Sequence, residues 1–337
     1  MILDTIAPVI PHLRHVTIDE AQLREVCAHL PEPAPNRALP ATLRLPAWDD
    51  DVFILHPPEA RAAQLLLFNT INFSYWGEPK WTIEFHGRPL DGAWGMLGAL
   101  ARAVDEGFPL FDGAYLATIP ESDARHVLRG NVEVPMFQER LDILHEVGHV
   151  LAAQFGGKFD NLIHAAGNDA VALVRLLVTR FPSFNDVATL CLPPRLAGGT
   201  EGGRGGFTVA FYKRAQLAAA MLYEAFGGEG PGDLRHAEQL TVFADYKLPQ
   251  VLRRLSILHY APHLAGRVDR REPLEAGSRE EVEIRAATVW AGELMRQALV
   301  SRFPQVTALH IDYWLWREGQ RQGPDVRPYH RTRTIYY

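Results

Sequence analysis

The stretch QLTVFADYKLPQVLRRLSILHY, residues 239–260, decides how the rest of the chain is read. An apolar run (Leu240, Val242, Phe243) leads to a lone carboxylate, Asp245. A polar-aromatic turn, Tyr246 and Lys247, follows, and Pro249 opens a second amphipathic segment. A carboxylate between apolar neighbours and a lysine, at a turn joining two segments, has the surroundings of a catalytic base or of a group that stabilises positive charge. The plainer account makes Asp245 the cap of the helix that Pro249 begins, because Asp and Pro both favour helix starts. These residues alone leave both accounts open.

Working outward, helical patterns dominate. Thr17-Ile18-Asp19-Glu20 reads as a capping box, with Thr17 as N-cap and a helix running to about Leu30. Residues 31–58 are proline-rich coil, 60–68 helical, 81–85 a short alternating strand, and 92–104 helical. From Pro135, the residues Phe137, Leu141, Leu144, Gly148, Leu151 and Phe155 fall on one helical stripe, with Gly156 and Gly157 as the stop. Further helices are expected at about 167–180, 211–226, 279–302 and 310–318. The ending RPYHRTRTIYY carries too many aromatics for a solvated tail and should dock on the body. The expectation is a mainly α protein with a helix-hairpin-helix-like element near 236–260 and at most a few short strands. Residues 1–337 should form one unit, in which an N-terminal subregion 1–130 packs on a helical 131–337.

Composition excludes several classes. The net charge of −6 argues against a broad duplex-binding surface, which normally carries a basic excess. Two cysteines, Cys27 and Cys191, cannot build a disulfide framework, which fits a reducing compartment. The N-terminal residues include Asp4, Pro8 and Pro11 and lack the basic start of a signal peptide. No apolar run approaches the length of a membrane span. A cytoplasmic monomer acting on a small molecule, away from membranes, is expected.

The loudest motif is His145-Glu146-Val147-Gly148-His149, an HExxH within a helix. Its spacing puts two imidazoles on one helical face, which suits zinc with the glutamate as general base. A third ligand is harder to find. Ala152 stands where the extended motif needs glycine, and no Glu occurs between Glu146 and Glu201. Asp160, His164 and Asp169 remain conceivable, against the plainer account of a solvated helix face. The glycine-rich stretch 198–206 lacks the order of a phosphate-binding loop and reads as flexible by composition. The sequon Asn72-Phe73-Ser74 would go unused in a cytoplasmic protein. The aromatic segment 68–81, interleaved with Asn69, Asn72 and Ser74, can stack a heterocycle and bond its edges, or form an ordinary aromatic core. Lys213 and Arg214 open a helix, where two cations and free N–H groups can hold a phosphate. Asp312 is a second carboxylate in aromatic company.

Taken together, these segments resemble the queuosine salvage proteins, the queuosine 5'-phosphate N-glycosylases. The matching pieces run in order through nearly the whole chain. They are Leu55-His56-Pro57, Asn72-Phe73-Ser74-Tyr75-Trp76, Phe155-Gly156-Gly157, Phe181-Pro182-Ser183 and Phe211-Tyr212-Lys213-Arg214-Ala215-Gln216. Then follow residues 243–252 (FADYKLPQVL), 281–285 (EVEIR), 312–316 (DYWLW) and the ending 330–337 (HRTRTIYY). The HExxH is a departure from the family's hallmarks, and the 198–206 stretch is a local variation. The resemblance implies a helical fold similar to the helix-hairpin-helix DNA glycosylases. It also implies hydrolysis of queuosine 5'-monophosphate to queuine and ribose 5-phosphate, with no metal or organic cofactor.

On that footing Asp245 should stabilise the positive charge that develops on the ribose and activate water. Asp312 should bond the guanine-like edge of the base, Phe73 and Trp76 should stack it, and Asn72 should bond its edge. Lys213 is the first choice for the 5'-phosphate, ahead of His56, Lys247, His330 and Arg331. Phe243, Tyr246 and Arg285, in the same matched segments, complete the expected substrate-binding set. The rival readings are an HExxH zinc metallopeptidase, a DNA base-excision glycosylase and a non-catalytic binder of queuine or its nucleotide. The DNA enzyme is opposed by the acidic charge balance, since duplex affinity leans on phosphate contacts.

Overall fold

A β-strand, Val16–Ile18, occupies the position expected for a helix cap, and it pairs antiparallel with Leu258–Tyr260 in the register Val16↔Tyr260. The computed structural model describes residues 1–191, 206–323 and 326–337; all of the glycine-rich stretch except Gly206 lies outside the described residues. The helix Glu20–Ala28 starts later than expected, and Asp19 caps it by accepting the Gln22 N–H at 2.9 Å. The reason is physical. Val-Thr-Ile is β-branched throughout, and a strand partner satisfies several backbone groups where a Thr17 cap satisfies one.

Fourteen α-helices and three two-stranded antiparallel sheets are present among the described residues, so the mainly α reading holds. The chain divides into two compact units, each gathered from separated segments. The first takes Met1–Leu45, Asp186–Lys213 and Glu238–Arg333; the second takes Pro46–Asn185, Arg214–Ala237 and Thr334–Tyr337. A division at 130/131 coincides with neither unit.

The first unit is built on the helix Arg279–Leu299. Ile284, Ala287, Ala291, Met295 and Leu299 face one apolar cluster with Leu23, Leu248, Val251, Leu252, Ile311 and Leu315. Val282, Ala286 and Val289 face another with Ile2, Ile6, Val9, Val209, Phe211 and Ala244. A helix apolar on two faces is a core helix. Each large aliphatic side chain buried there contributes roughly 1.5–3 kcal/mol by area. Cys27 lies in the first cluster, where burial pushes its thiol up to about 12.

The deciding stretch lies directly on this helix. A Cβ at Gly292 would sit 2.6 Å from the Val242 methyls, so only glycine lets the segment approach so closely. Within 236–260 the chain makes a 3-10 turn at Ala237–Gln239, an irregular run to Ala244, the helix Lys247–Arg254 and the strand Leu258–Tyr260. A single α-helix therefore stands where two were expected to flank a hairpin, and it begins two residues before Pro249. Proline is tolerated there because first-turn N–H groups have no acceptor within the helix.

In the second unit the helix Phe137–Gln154 packs on Gly113–Ala117, where a Cβ at Gly148 would meet the Ala117 nitrogen at 2.0 Å. Gly156 and Gly157 end the run with φ of 57° and 75°, as expected of a glycine stop. The expected strand at 81–85 is Thr82–Phe85, paired with Arg88–Asp91. The C-terminal segment docks as expected. In the first unit the Leu274 N–H donates to the Arg331 carbonyl at 2.7 Å. In the second, the Ser74 N–H donates to the Tyr337 carbonyl at 2.9 Å, and the Ser74 hydroxyl to that of Thr334 at 2.8 Å. No helix among the described residues is long and apolar enough to cross a membrane.

Candidate active site

The first unit gathers two carboxylates and a lysine around the 240–248 segment. Asp312, on the helix Ala308–Glu318, is 8% exposed, and its Oδ1 accepts the Phe243 N–H at 2.7 Å. Burial holds its carboxyl well above the usual carboxylate range. The Phe243 N–H draws it back, nearby Asp245 pushes it up again, and Lys213 opposes that. Asp312 therefore favours the neutral acid, which can donate as well as accept a hydrogen bond.

Asp245 is the helix cap that the plainer account made it. Its Oδ1 accepts the N–H groups of Lys247 at 2.7 Å and Leu248 at 3.0 Å, capping the helix Lys247–Arg254. The side chain is half-buried, and Oδ2 accepts no hydrogen bond among the described residues. One oxygen is thus fixed by two backbone donors. A carboxylate whose orientation is set by its own cap loses little entropy when it acts.

Lys213 is buried at the first position of the helix Lys213–Ala225, and its N–H donates to Asp186 Oδ2 at 3.2 Å. Asp186 escaped the sequence reading and is the hub of this region. It accepts the Arg285 fork, Nη1 to Oδ1 at 2.9 Å and Nη2 to Oδ2 at 2.6 Å. Its carbonyl accepts the N–H groups of Phe211 at 2.9 Å and Tyr212 at 3.3 Å. Arg285 in turn lies 3.9 Å from the Phe211 ring centroid and donates Nε–H to the Ala244 carbonyl at 3.3 Å. One carboxylate thereby ties the start of the Lys213 helix to the backbone beside Asp245. In the sequence it is an unremarked Asp between Asn185 and Val187, ninety-nine positions from its arginine. No local spacing signals such a pair.

The remaining candidates divide by environment. His330 is 1% exposed, and burial, with the Arg285 charge added, pushes its imidazole down to about 3. It is neutral near pH 7, which removes the charge expected of a phosphate ligand. The Lys247 ammonium donates to the Gly319 carbonyl at 3.1 Å, at the end of the Ala308–Glu318 helix where a cation is favourable, and lies 5.2 Å from the Tyr329 ring centroid. Tyr246 packs on Tyr329 with ring centroids 4.8 Å apart. Phe243 contributes its backbone N–H to Asp312, and Arg331 its carbonyl to Leu274.

Asn72, Phe73, Trp76 and His56 belong to the second unit. His56 is exposed, whereas the other three are buried. Phe73 is 1% exposed, with the Arg140 guanidinium 4.2 Å and that of Arg214 5.3 Å from its centroid. Arg140 donates to the carbonyls of Ile71, Phe73 and Pro135, and Arg214 to those of Asn69, Thr70 and Ser183. Two buried cations therefore satisfy carbonyls at and beyond the C-terminus of the helix Pro58–Thr70, where acceptors are otherwise left over. The Phe73 ring packs between these two cations.

The HExxH is accounted for by helix packing. His145 donates Nε2–H to the Ile119 carbonyl at 2.9 Å, Glu146 Oε1 accepts the Ser183 N–H at 3.1 Å, and Gly148 makes room for Ala117. Neither histidine belongs to a group of three ligand-type side chains among the described residues; the one such group is His15, His263 and Glu280.

A family model described as queuosine salvage protein matches residues 55–337. The queuosine 5'-phosphate N-glycosylase/hydrolase of Sphaerobacter thermophilus is 46% identical over 292 residues, 87% of this chain and 86% of the relative. The protein of that name from Bos taurus is 34% identical over 342 residues, covering 96% and 95%. That from Mus musculus is 35% identical over 293 residues, covering 83% and 82%.

Proposed function

We propose that this chain, which belongs to the queuosine salvage protein family, is a hydrolase that cleaves the N-glycosidic bond of queuosine 5'-monophosphate. Its products are queuine and ribose 5-phosphate. The observation that carries the mechanism is the pairing of a buried Asp312, which accepts the Phe243 N–H, with a capped, half-buried Asp245. Two carboxyl groups in unlike environments take unlike roles.

As the bond breaks, positive charge builds on the ribose, and Asp245 Oδ2 stabilises it and orients the attacking water. The departing base is a 7-deazapurine, so protonation at N7 cannot assist it. Asp312, as a neutral acid, supplies a hydrogen bond to the base edge that strengthens as negative charge develops there. Lys213 supplies charge for the 5'-phosphate, and Asp186 holds the first turn of its helix in place.

The test is hydrolysis of queuosine 5'-monophosphate, queuosine and guanosine 5'-monophosphate, each with a chelator present. Queuine released chiefly from the first substrate supports the assignment. Release from none of them overturns it. Lys213→Ala should raise KM for the monophosphate about tenfold, the scale of one charge-assisted contact, and leave queuosine turnover unchanged. Equal effects on both substrates would remove Lys213 from the phosphate. A non-catalytic binder would retain ligand and show no turnover in the unaltered protein.

A further inference from the structure

We infer that His15, His263 and Glu280 form a binding site for a divalent transition metal of the zinc class, on residues that the proposed hydrolysis does not use. One ligand atom from each lies within 4.8 Å of the others. Two imidazoles and a carboxylate are a donor set that zinc and its neighbours prefer, with water completing the coordination. Donors around a tetrahedral zinc stand about 3.4 Å apart, so closure needs only side-chain adjustment.

The backbones that carry these donors are already tied together. His15 precedes the strand Val16–Ile18, which pairs with Leu258–Tyr260, and the Ala261 N–H donates to the His15 carbonyl at 2.8 Å. That bond sets His15 beside His263, on the helix Pro262–Asp269, with ring centroids 4.8 Å apart and edge-on at 80°. Glu280 lies in the first turn of Arg279–Leu299. One turn later, the fully buried Glu283 accepts the N–H groups of Arg14 at 2.8 Å and His15 at 2.6 Å. Three elements distant in sequence are thus held by hydrogen bonds that use none of the three ligand side chains, the preorganisation that a metal site needs. His263 is exposed and the other two are half-buried, so an ion has access.

Arg267 is the group a metal must displace, because its Nη1 stands 3.7 Å from Glu280 Oε1. Its other contacts, with the Pro273 carbonyl and with Glu272, do not involve the ligands.

The experiment is titration of the full, metal-stripped chain with zinc chloride, followed by calorimetry, and with cobalt chloride, followed by visible absorption. One equivalent should bind and raise Tm. His263→Ala and Glu280→Gln should each weaken that binding at least tenfold, with circular dichroism unchanged. His149→Ala, on the packing helix of the second unit, should leave it intact. Arg267→Ala should tighten it several-fold. No saturable binding below millimolar zinc overturns the site. So does binding lost in His149→Ala but kept in His263→Ala, and weaker binding in Arg267→Ala removes Glu280 as a ligand.

Discussion

In the first unit the buried arginine beside the candidate site, Arg285, meets the carboxylate of Asp186. In the second, the buried Arg140 and Arg214 donate to a row of main-chain carbonyls. The two arrangements solve one problem, an otherwise costly buried charge, by different means. Meeting carboxylates brings titratable groups together, and the region around Asp186 includes Lys213, with Asp312 and Asp245 close by. Meeting carbonyls stitches a chain turn and leaves nothing to titrate. The first arrangement suits chemistry and the second suits shape. Two segments that look equally functional in the sequence, 72–76 and 243–248, sit beside these two different arrangements.

That contrast can be broken most directly by rate. Asp245→Asn should lower kcat by about 10²–10⁴, the usual scale for a positioned carboxylate, with Tm nearly unchanged because an amide oxygen can still cap the helix. Phe73→Leu should do the reverse, costing roughly 1–1.5 kcal/mol in urea unfolding while the folded enzyme keeps its kcat. Near-normal turnover in Asp245→Asn would sink the mechanism, and a loss of kcat in Phe73→Leu would return that ring to the substrate.

The next effect is on stability. Asp186→Asn leaves Arg285 buried with its main carboxylate gone and should cost about 3–5 kcal/mol by denaturant unfolding. Asp186→Asn combined with Arg285→Met should cost less than the sum of the two single changes. Strict additivity would show that the pair does not act as a unit.

A smaller effect concerns pH. The folded-state pKa of His330 is depressed from 6.5 to about 3, so folding favours its neutral form. Its contribution to stability is present above pH 6.5 and is lost as pH falls toward 3, with a slope of at most about 1.4 kcal/mol per pH unit. His330→Gln should flatten that part of the stability profile measured by urea unfolding, and an unchanged slope would contradict the burial argument. The smallest change is expected from His149→Ala, within about 0.5 kcal/mol of the unaltered protein and without effect on turnover in the presence of chelator. A large loss of activity there would revive the zinc reading of the HExxH helix.

The amino-acid sequence by itself determined the mainly helical class and most of the helix positions. Apolar spacing, glycine stops and proline breaks are local signals, and a helix satisfies its own backbone. An ordered set of short segments also pointed to the family and singled out Asp245, Asp312 and Lys213. Only the tertiary structure moved the cap from Thr17 to Asp19, because strand pairing with residues 258–260 is a long-range event. It alone showed that Asp245 caps its helix through one oxygen, and that Phe73 packs against two arginines. It also disclosed Asp186 as the link between Lys213 and Arg285. Each of these depends on which distant groups share a low-dielectric interior. That is a matter of packing and desolvation, which residue spacing along the chain does not encode.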